Sequence, residues 1–206
     1  FANIVMIILS LLAIVPFALL VISSFMDNST LIANGYSFLP EKWSTYAYEY
    51  IFKTGNSIVH AYGVSISLTA AGTAISLSIT TLLAYALSKT DLPGRRIMLF
   101  MVVFTMLFNG GLVPTYIVYT NVLNVKNTFW ALLIPGLLMN GFNVMLMKSY
   151  FCSSLPGEIL DAAYIDGAGE FQTFASIAVP LSKPIIATIG LFNGIAYWND
   201  WMNGYI

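Results

Sequence analysis

Polar and apolar positions in this chain sort into long apolar stretches with short polar interruptions, without the strict alternation of a half-buried sheet. Five stretches approach the ~20 residues that a helix needs to cross ~30 Å of hydrocarbon. They are about Ala2–Ser24, Tyr62–Leu87, Ile97–Tyr119, Phe129–Met147 and Ile185–Ile206. Backbone groups in lipid must be satisfied internally, so a membrane chain forms helices or a closed barrel. Unalternated runs of this length favour helices. The pattern predicts an all-α, polytopic helical membrane protein, one domain over residues 1–206, with five spans visible. Both termini are expected to be truncated, because the chain starts at Phe1 and stops at Ile206 in an apolar context.

Glycine and proline mark where these spans bend. The first contains Pro16, and the third contains Asn109, Gly110, Gly111 and Pro114. Proline frees a backbone carbonyl, so a kink or local unwinding is expected near Asn109–Pro114. Such a break lines the pathway in many transporters, or it serves only helix packing. Both readings stay open at this stage.

Composition strengthens the membrane reading. Of 206 residues, 58% are hydrophobic and 8% are charged, against about 25% charged in a soluble domain. A net charge of −1 offers no electrostatic footprint for nucleic acid. The single cysteine, Cys152, excludes an internal disulfide and a cysteine-based zinc site. It reads as a small apolar residue at a helix end. The single histidine, His60, has no second ligand nearby and reads as interfacial.

Lysine and arginine set the orientation. Lys89, Arg95, Arg96, Lys148 and Lys183 fall on one side, and Lys42, Lys53 and Lys126 on the other. That bias places the N-terminus and the Leu155–Leu181 loop in the cytoplasm. Met26–Val59 then lies outside, with Phe38, Pro40, Trp43, Tyr46, Tyr48 and Tyr50. Aromatics at that density suit the membrane interface, or a docking surface for an external partner.

The Leu155–Leu181 loop, LPGEILDAAYIDGAGEFQTFASIAVPL, holds Glu158, Asp161, Asp166 and Glu170. Pro156 fits a first helical turn, and Glu158 complements the helix dipole there. A helix to about Ile165 is expected to stop at Gly167 in a left-handed conformation. A second helix is expected from Gly169 or Glu170 to about Ile177. The result is a helix–glycine–helix elbow. No lysine or arginine lies between Lys148 and Lys183, so this acidic elbow is ill suited to an anionic leaflet, where interfacial helices are usually basic. It suits a basic or hydrogen-bond-donating protein surface instead.

Those residues carry a resemblance. Leu155-Pro156, Asp161-Ala162-Ala163, Ile165-Asp166-Gly167-Ala168, Phe174, Ile177, Pro180 and Leu181 resemble the cytoplasmic loop of binding-protein-dependent ABC importer permeases of the carbohydrate type. There a Glu-Ala-Ala…Gly motif docks onto the ATPase subunit. Asp161 stands where the family usually carries Glu, keeping the charge with one methylene less reach. SLTAAGTAISLSITTLLAYALSK with LPGRR, and Trp198-Asn199-Asp200-Trp201, look like the same family. NGGLVPTY from Asn109 to Tyr116 looks like its oligosaccharide and polysaccharide-fragment subgroup. The resemblance covers nearly all of the chain.

The resemblance implies a channel-forming transport subunit, not an enzyme, in a bacterial plasma (inner) membrane, with a sixth span. Expected partners are a second homologous permease, two cytoplasmic ATPase subunits, an extracytoplasmic solute-binding protein and a sugar substrate. ATP and Mg are expected on the ATPase subunits; the chain has no G-x-x-x-x-G-K-[ST] motif, and no cofactor is expected on it. The coupling residues implied are Glu158, Asp161, Ala162, Ala163, Asp166, Gly167 and Ala168.

Polar residues inside spans are functional candidates by default. Asn109, Asn140, Asn143, Asn193, Asn199 and Asp200 qualify, and Tyr197, Trp198 and Trp201 add aromatic faces that suit sugar CH groups. Asn193, Tyr197 and Trp201 share a face at i, i+4 and i+8. Trp198 and Trp201 also fit an outer aromatic belt. Gly190 and Gly194 form a G-x-x-x-G packing motif. A membrane-embedded enzyme needs paired catalytic groups, and Asp200 is the one carboxylate placed within a span. The alternative transporter is an ion-coupled carrier or a channel not driven by ATP. Ion coupling usually needs buried ionisable groups, and the first four spans have essentially none.

Overall fold

The computed structural model describes residues 2–53, 55–135 and 138–205. It is 77% helical, and no strand occurs among the described residues. The chain divides into two compact units, Phe1–Tyr62 and Gly63–Ile206.

In the first unit, α1 (Ala2–Ser24) is one helix with Pro16 inside it. None of its apolar window is buried, as suits a helix sheathed by lipid or by another subunit. Asp27 then caps α2 (Asn28–Asn34), accepting the Ser29 N–H at 3.0 Å. The hydrogen bonds from Ser29 hold the Asp27 carboxyl below the usual carboxylate range. Gly35 at φ +75° ends α2. Met26 pairs with Trp43 in an isolated β-bridge. The Ser24 and Tyr48 hydroxyls lie 2.7 Å apart, fastening α3 (Tyr46–Lys53) to the end of α1. Trp43, Tyr46 and Tyr50 remain exposed.

The second unit is a helical bundle. The rest of α4 (Gly55–Ser88) is its mast. At about 1.5 Å per residue, Gly63–Ser88 rises roughly 38 Å, enough to cross a bilayer. Arg95 donates through Nε to the Leu87 carbonyl at 2.9 Å, capping the mast's C-terminal end with a cation. α5 (Arg95–Leu107) follows a left-handed Gly94. α8 (Gly141–Ser154), the elbow and α12 (Lys183–Trp198) complete the unit. One apolar core joins Ala84 and Leu87 of α4, Val102 of α5, Val144, Met147 and Phe151 of α8, Phe174 and Ala178 of the elbow, and Ile185 and Ile189 of α12.

The spans differ from five continuous helices. Only α1 and α4 are single helices long and apolar enough to cross, and two bent pairs bring the number to at most four among the described residues. The expected kink at Asn109–Pro114 is a full break. α5 stops at Leu107, and α6 (Leu112–Ile117), continued by a π-helical turn over Val118–Val122, leaves at 116°. Asn109 Oδ1 accepts the Gly111 N–H at 2.8 Å, and Gly111 takes φ +81°, a turn that a β-branched residue would strain.

Phe129–Met147 is not one helix either. α7 (Phe129–Leu133) ends two residues before the buried Pro135, and a new helix starts where Asn140 caps α8 by accepting the Asn143 N–H at 3.2 Å. Proline and an N-cap together outweigh the apolar run. α8 reaches Ser154, past the expected end at Met147. The last span starts at Lys183 and ends at Trp198, shorter than Ile185–Ile206; Ile206 lies outside the described residues.

Candidate functional site

The elbow begins with α9 (Gly157–Ile165), which has Glu158 in its first turn and Pro156 at its N-cap. Its end is a Schellman motif. The Gly167 N–H donates to the Tyr164 carbonyl at 3.1 Å and the Ala168 N–H to the Ala163 carbonyl at 2.9 Å. Gly167 takes φ +83°. These are the two bonds that satisfy orphan carbonyls at a glycine-terminated helix end. α10 (Glu170–Thr173) then starts, and a π-helical turn over Phe174–Ala178 carries the chain into α11 (Val179–Leu181) and, after a bend of 82°, into α12.

Ile159, Ala162, Ala163, Asp166, Gly167, Ala168, Gln172 and Ile177 line a concavity of about 440 Å³ inside the elbow. The small residues make it; larger side chains at Ala162, Ala163 and Ala168 would fill it. Asp166 is part of its lining, and Glu158, Asp161 and Asp166 are all exposed and make no ion pair among the described residues. Ile165 is 86% exposed and Phe171 74% exposed. The elbow thus offers a small-residue groove, three free carboxylates and two bare apolar side chains. Ala163, by contrast, is buried.

The polar residues singled out from the spans separate into three places. Asn143 and Asn193 meet in the buried bundle: Asn143 Nδ2 donates to Asn193 Oδ1 at 2.8 Å, and Asn193 Nδ2 donates to Ser76 Oγ at 3.0 Å. This chain of amides ties α8, α12 and α4 together. One turn along α12, the buried Tyr197 donates its hydroxyl to the Leu133 carbonyl at 3.0 Å. Asn140, the exposed cap of α8, lies next to this cluster in sequence.

The second place is the end of α12. Trp198 and Trp201 are exposed, and Asn199 donates through Nδ2 to the Ile195 carbonyl at 3.0 Å. Because α12 ends at Trp198, Trp201 does not continue the Asn193–Tyr197 face, and Asp200 is not inside a span. Asp200 Oδ2 instead accepts from Asn203 Nδ2 at 2.6 Å in the turn beyond the helix. The third place is Asn109, exposed at the α5–α6 break.

Sequence reasoning missed Ser76, Gly72, Lys89 and Tyr164. Ser76 and Gly72 sit among the small residues of α4, where nothing marks one position over another. Lys89 counts only as a charge for orientation until Tyr164 is found 2.7 Å from its Nζ. His60 is exposed in the first unit, and no metal-holding group of three occurs among the described residues.

With this geometry in place, the comparisons are specific. Residues 81–203 match the family described as the binding-protein-dependent transport system inner membrane component. Protein LplC of Bacillus subtilis (strain 168) is 38% identical over 195 residues, covering 95% of this chain and 65% of that protein. The polygalacturonan/rhamnogalacturonan transport system permease protein YtcP of the same organism is 38% identical over 197 residues, covering 96% and 68%. In the crystal structure of a bacterial ABC transporter involved in the import of the acidic polysaccharide alginate, one chain is 32% identical with a TM-score of 0.85, covering 96% of this chain and 69% of that one. The chain belongs to the binding-protein-dependent transport system inner membrane components, the permeases of ABC importers. It spans about two thirds of the length of these relatives.

Proposed function

We propose that this chain is the channel-forming subunit of an ATP-driven importer of sugars, in particular oligosaccharide fragments of polysaccharides. The observation that carries the proposal is the elbow. Its small-residue groove, free acids and exposed Ile165 and Phe171 form a surface that lipid does not suit and a protein partner does. The relatives support the importer over an ion-coupled carrier or channel. Of the relatives described above, YtcP is named for polygalacturonan and rhamnogalacturonan transport, and the solved transporter for import of the acidic polysaccharide alginate; further relatives are named for diacetylchitobiose, arabinooligosaccharides and trehalose/maltose.

In this reading a second homologous permease completes the channel, two ATPase subunits bind ATP and Mg and dock at Glu158, Asp161, Ala162, Ala163, Asp166, Gly167 and Ala168, and an extracytoplasmic solute-binding protein delivers the sugar. The chain sits in a bacterial plasma (inner) membrane with its N-terminus and elbow in the cytoplasm, where lysine and arginine are in excess. Asn109, Asn140, Trp198, Asn199 and Trp201 are the exposed candidates for the substrate pathway. Asn143, Asn193, Tyr197 and Asp200 bear on it from within the chain, through the contacts already described.

Uptake by the full-length importer in vesicles tests the proposal. Labelled neutral and acidic oligosaccharides are offered with and without internal ATP. ATP-dependent accumulation of either class supports it. Uptake that ignores ATP and follows an ion gradient sinks it.

A further inference from the structure

Beyond the docking groove, a cation outside the elbow holds it from both sides of its glycine. Lys89 is the residue immediately after α4. Its ammonium donates to the Tyr164 hydroxyl at 2.7 Å, and that hydroxyl donates to Glu170 Oε1 at 2.9 Å. Lys89 Nζ also lies 4.0 Å from Glu170 Oε2. The same ammonium sits over the Tyr85 and Tyr164 rings, at 4.9 and 5.0 Å from their centroids. Tyr164 belongs to α9 and Glu170 to α10, so one side chain reaches both arms on either side of Gly167.

We propose that Lys89 is a positioning residue for coupling: it fixes the angle of the elbow about Gly167 and passes elbow displacement into α4. The inference rests on the reading of the elbow as the ATPase docking site. Three observations carry it. First, Gly167 is the one left-handed position between the arms, and nothing lies within 4 Å of a Cβ built there, so local packing leaves the hinge itself free. Second, the receiving end is stiff. Tyr85 packs against Phe151 and Phe174 at 5.7 and 5.0 Å, and Arg95 ties the last turn of α4 to α5. Third, α4 carries Ser76, which hands the connection to Asn193 and Asn143 on α12 and α8. Two sets of hydrogen bonds, one at the elbow and one in the bundle interior, are therefore joined through α4.

A surface ion pair alone would predict little, since exposed pairs contribute weakly. Lys89 is different because its side chain is only 21% exposed. Burial lowers the lysine's proton affinity, and its contacts with Tyr164 and Tyr85 outweigh that, so it stays charged.

The test uses the complete importer, with both permeases, the ATPase subunits and the sugar-loaded binding protein. Lys89→Met keeps the apolar stem and removes the charge; Lys89→Arg keeps a donor; Tyr164→Phe removes the bridging hydroxyl. Three quantities are read: retention of the ATPase subunit, basal ATP hydrolysis, and stimulation of hydrolysis by the loaded binding protein. The expected result for Lys89→Met is retained ATPase subunit and basal hydrolysis, with stimulation reduced about 5- to 150-fold, the range of a typical coupling free energy. Lys89→Arg restores most of it, and Tyr164→Phe falls between. Unchanged stimulation overturns the proposal. Loss of the ATPase subunit from the Lys89→Met complex also overturns it, because Lys89 would then be a docking contact. Failure of the wild-type elbow to hold the ATPase subunit at all overturns the docking reading, and the positioning role with it.

Discussion

Tyr197 packs directly against Gly72: a Cβ at Gly72 would meet the Tyr197 ring at 2.6 Å. α4 and α12 approach this closely because a small residue faces an aromatic one, the packing by which membrane helices associate without a hydrophobic drive between them. Gly72→Ala is expected to cost about 1–3 kcal/mol of stability, as overpacking does. Thermal unfolding in detergent reads this directly, and an unshifted midpoint would mean that the two helices are not held in this register.

Asn193 joins Asn143 and Ser76 in one buried chain of hydrogen bonds. Asn193→Ala leaves the buried Asn143 amide N–H to find a new acceptor, at about 1–3 kcal/mol if it fails, and removes one contact of Ser76. The expected signature is a lowered unfolding temperature, with the KM for sugar unchanged in whatever protein survives. A changed KM at unchanged stability would instead place Asn193 against the substrate.

Gly167 holds φ +83° at the end of α9. Gly167→Ala is expected to cost roughly 1 kcal/mol, because a left-handed backbone disfavours a Cβ. Replacing Gly169, whose φ is −74°, with alanine is expected to have little effect. Comparing the two variants by thermal unfolding separates a demand for backbone conformation from general crowding of the elbow.

The Lys89–Tyr164 pair has a definite pH dependence. Burial pushes the Tyr164 hydroxyl up to about 12 from an ordinary 10.0, and Lys89 is raised from an ordinary 10.5. Both groups hold their protons more tightly when folded. Their stabilisation is therefore complete below the ordinary values and is lost as pH rises toward the folded ones. The difference in unfolding temperature between wild type and Lys89→Met is expected to stay constant from about pH 6 to about pH 9 and to shrink above about pH 10. A difference that collapses near neutral pH would point to another titrating group.

The long apolar runs and the glycine-centred acidic loop were legible in the sequence because each follows from local chemistry: span length, a proline at a helix start, a glycine where φ must be positive. The all-α class follows from the apolar runs, and the family from the resemblance of the loop and its flanking spans to known permeases. What stayed hidden depended on contacts distant in sequence. Phe129–Met147 reads as one span by hydropathy, yet Pro135 and the Asn140 cap divide it. Asn193 and Tyr197 share a helical face as expected, but that face turns inward onto Ser76, Gly72 and the Leu133 carbonyl. Hydropathy marks a residue as within a span and does not say which neighbour it meets. Lys89 and Tyr164 lie 75 positions apart, and no local pattern pairs them.

The central claim is that the elbow is where the ATPase subunit docks. Capture of that subunit by the full-length permease, comparing wild type with Gly167→Pro and Asp161→Lys, tests it most directly. The account predicts that both variants insert in the membrane and lose the ATPase subunit. Both variants capturing the subunit as wild type does would contradict it.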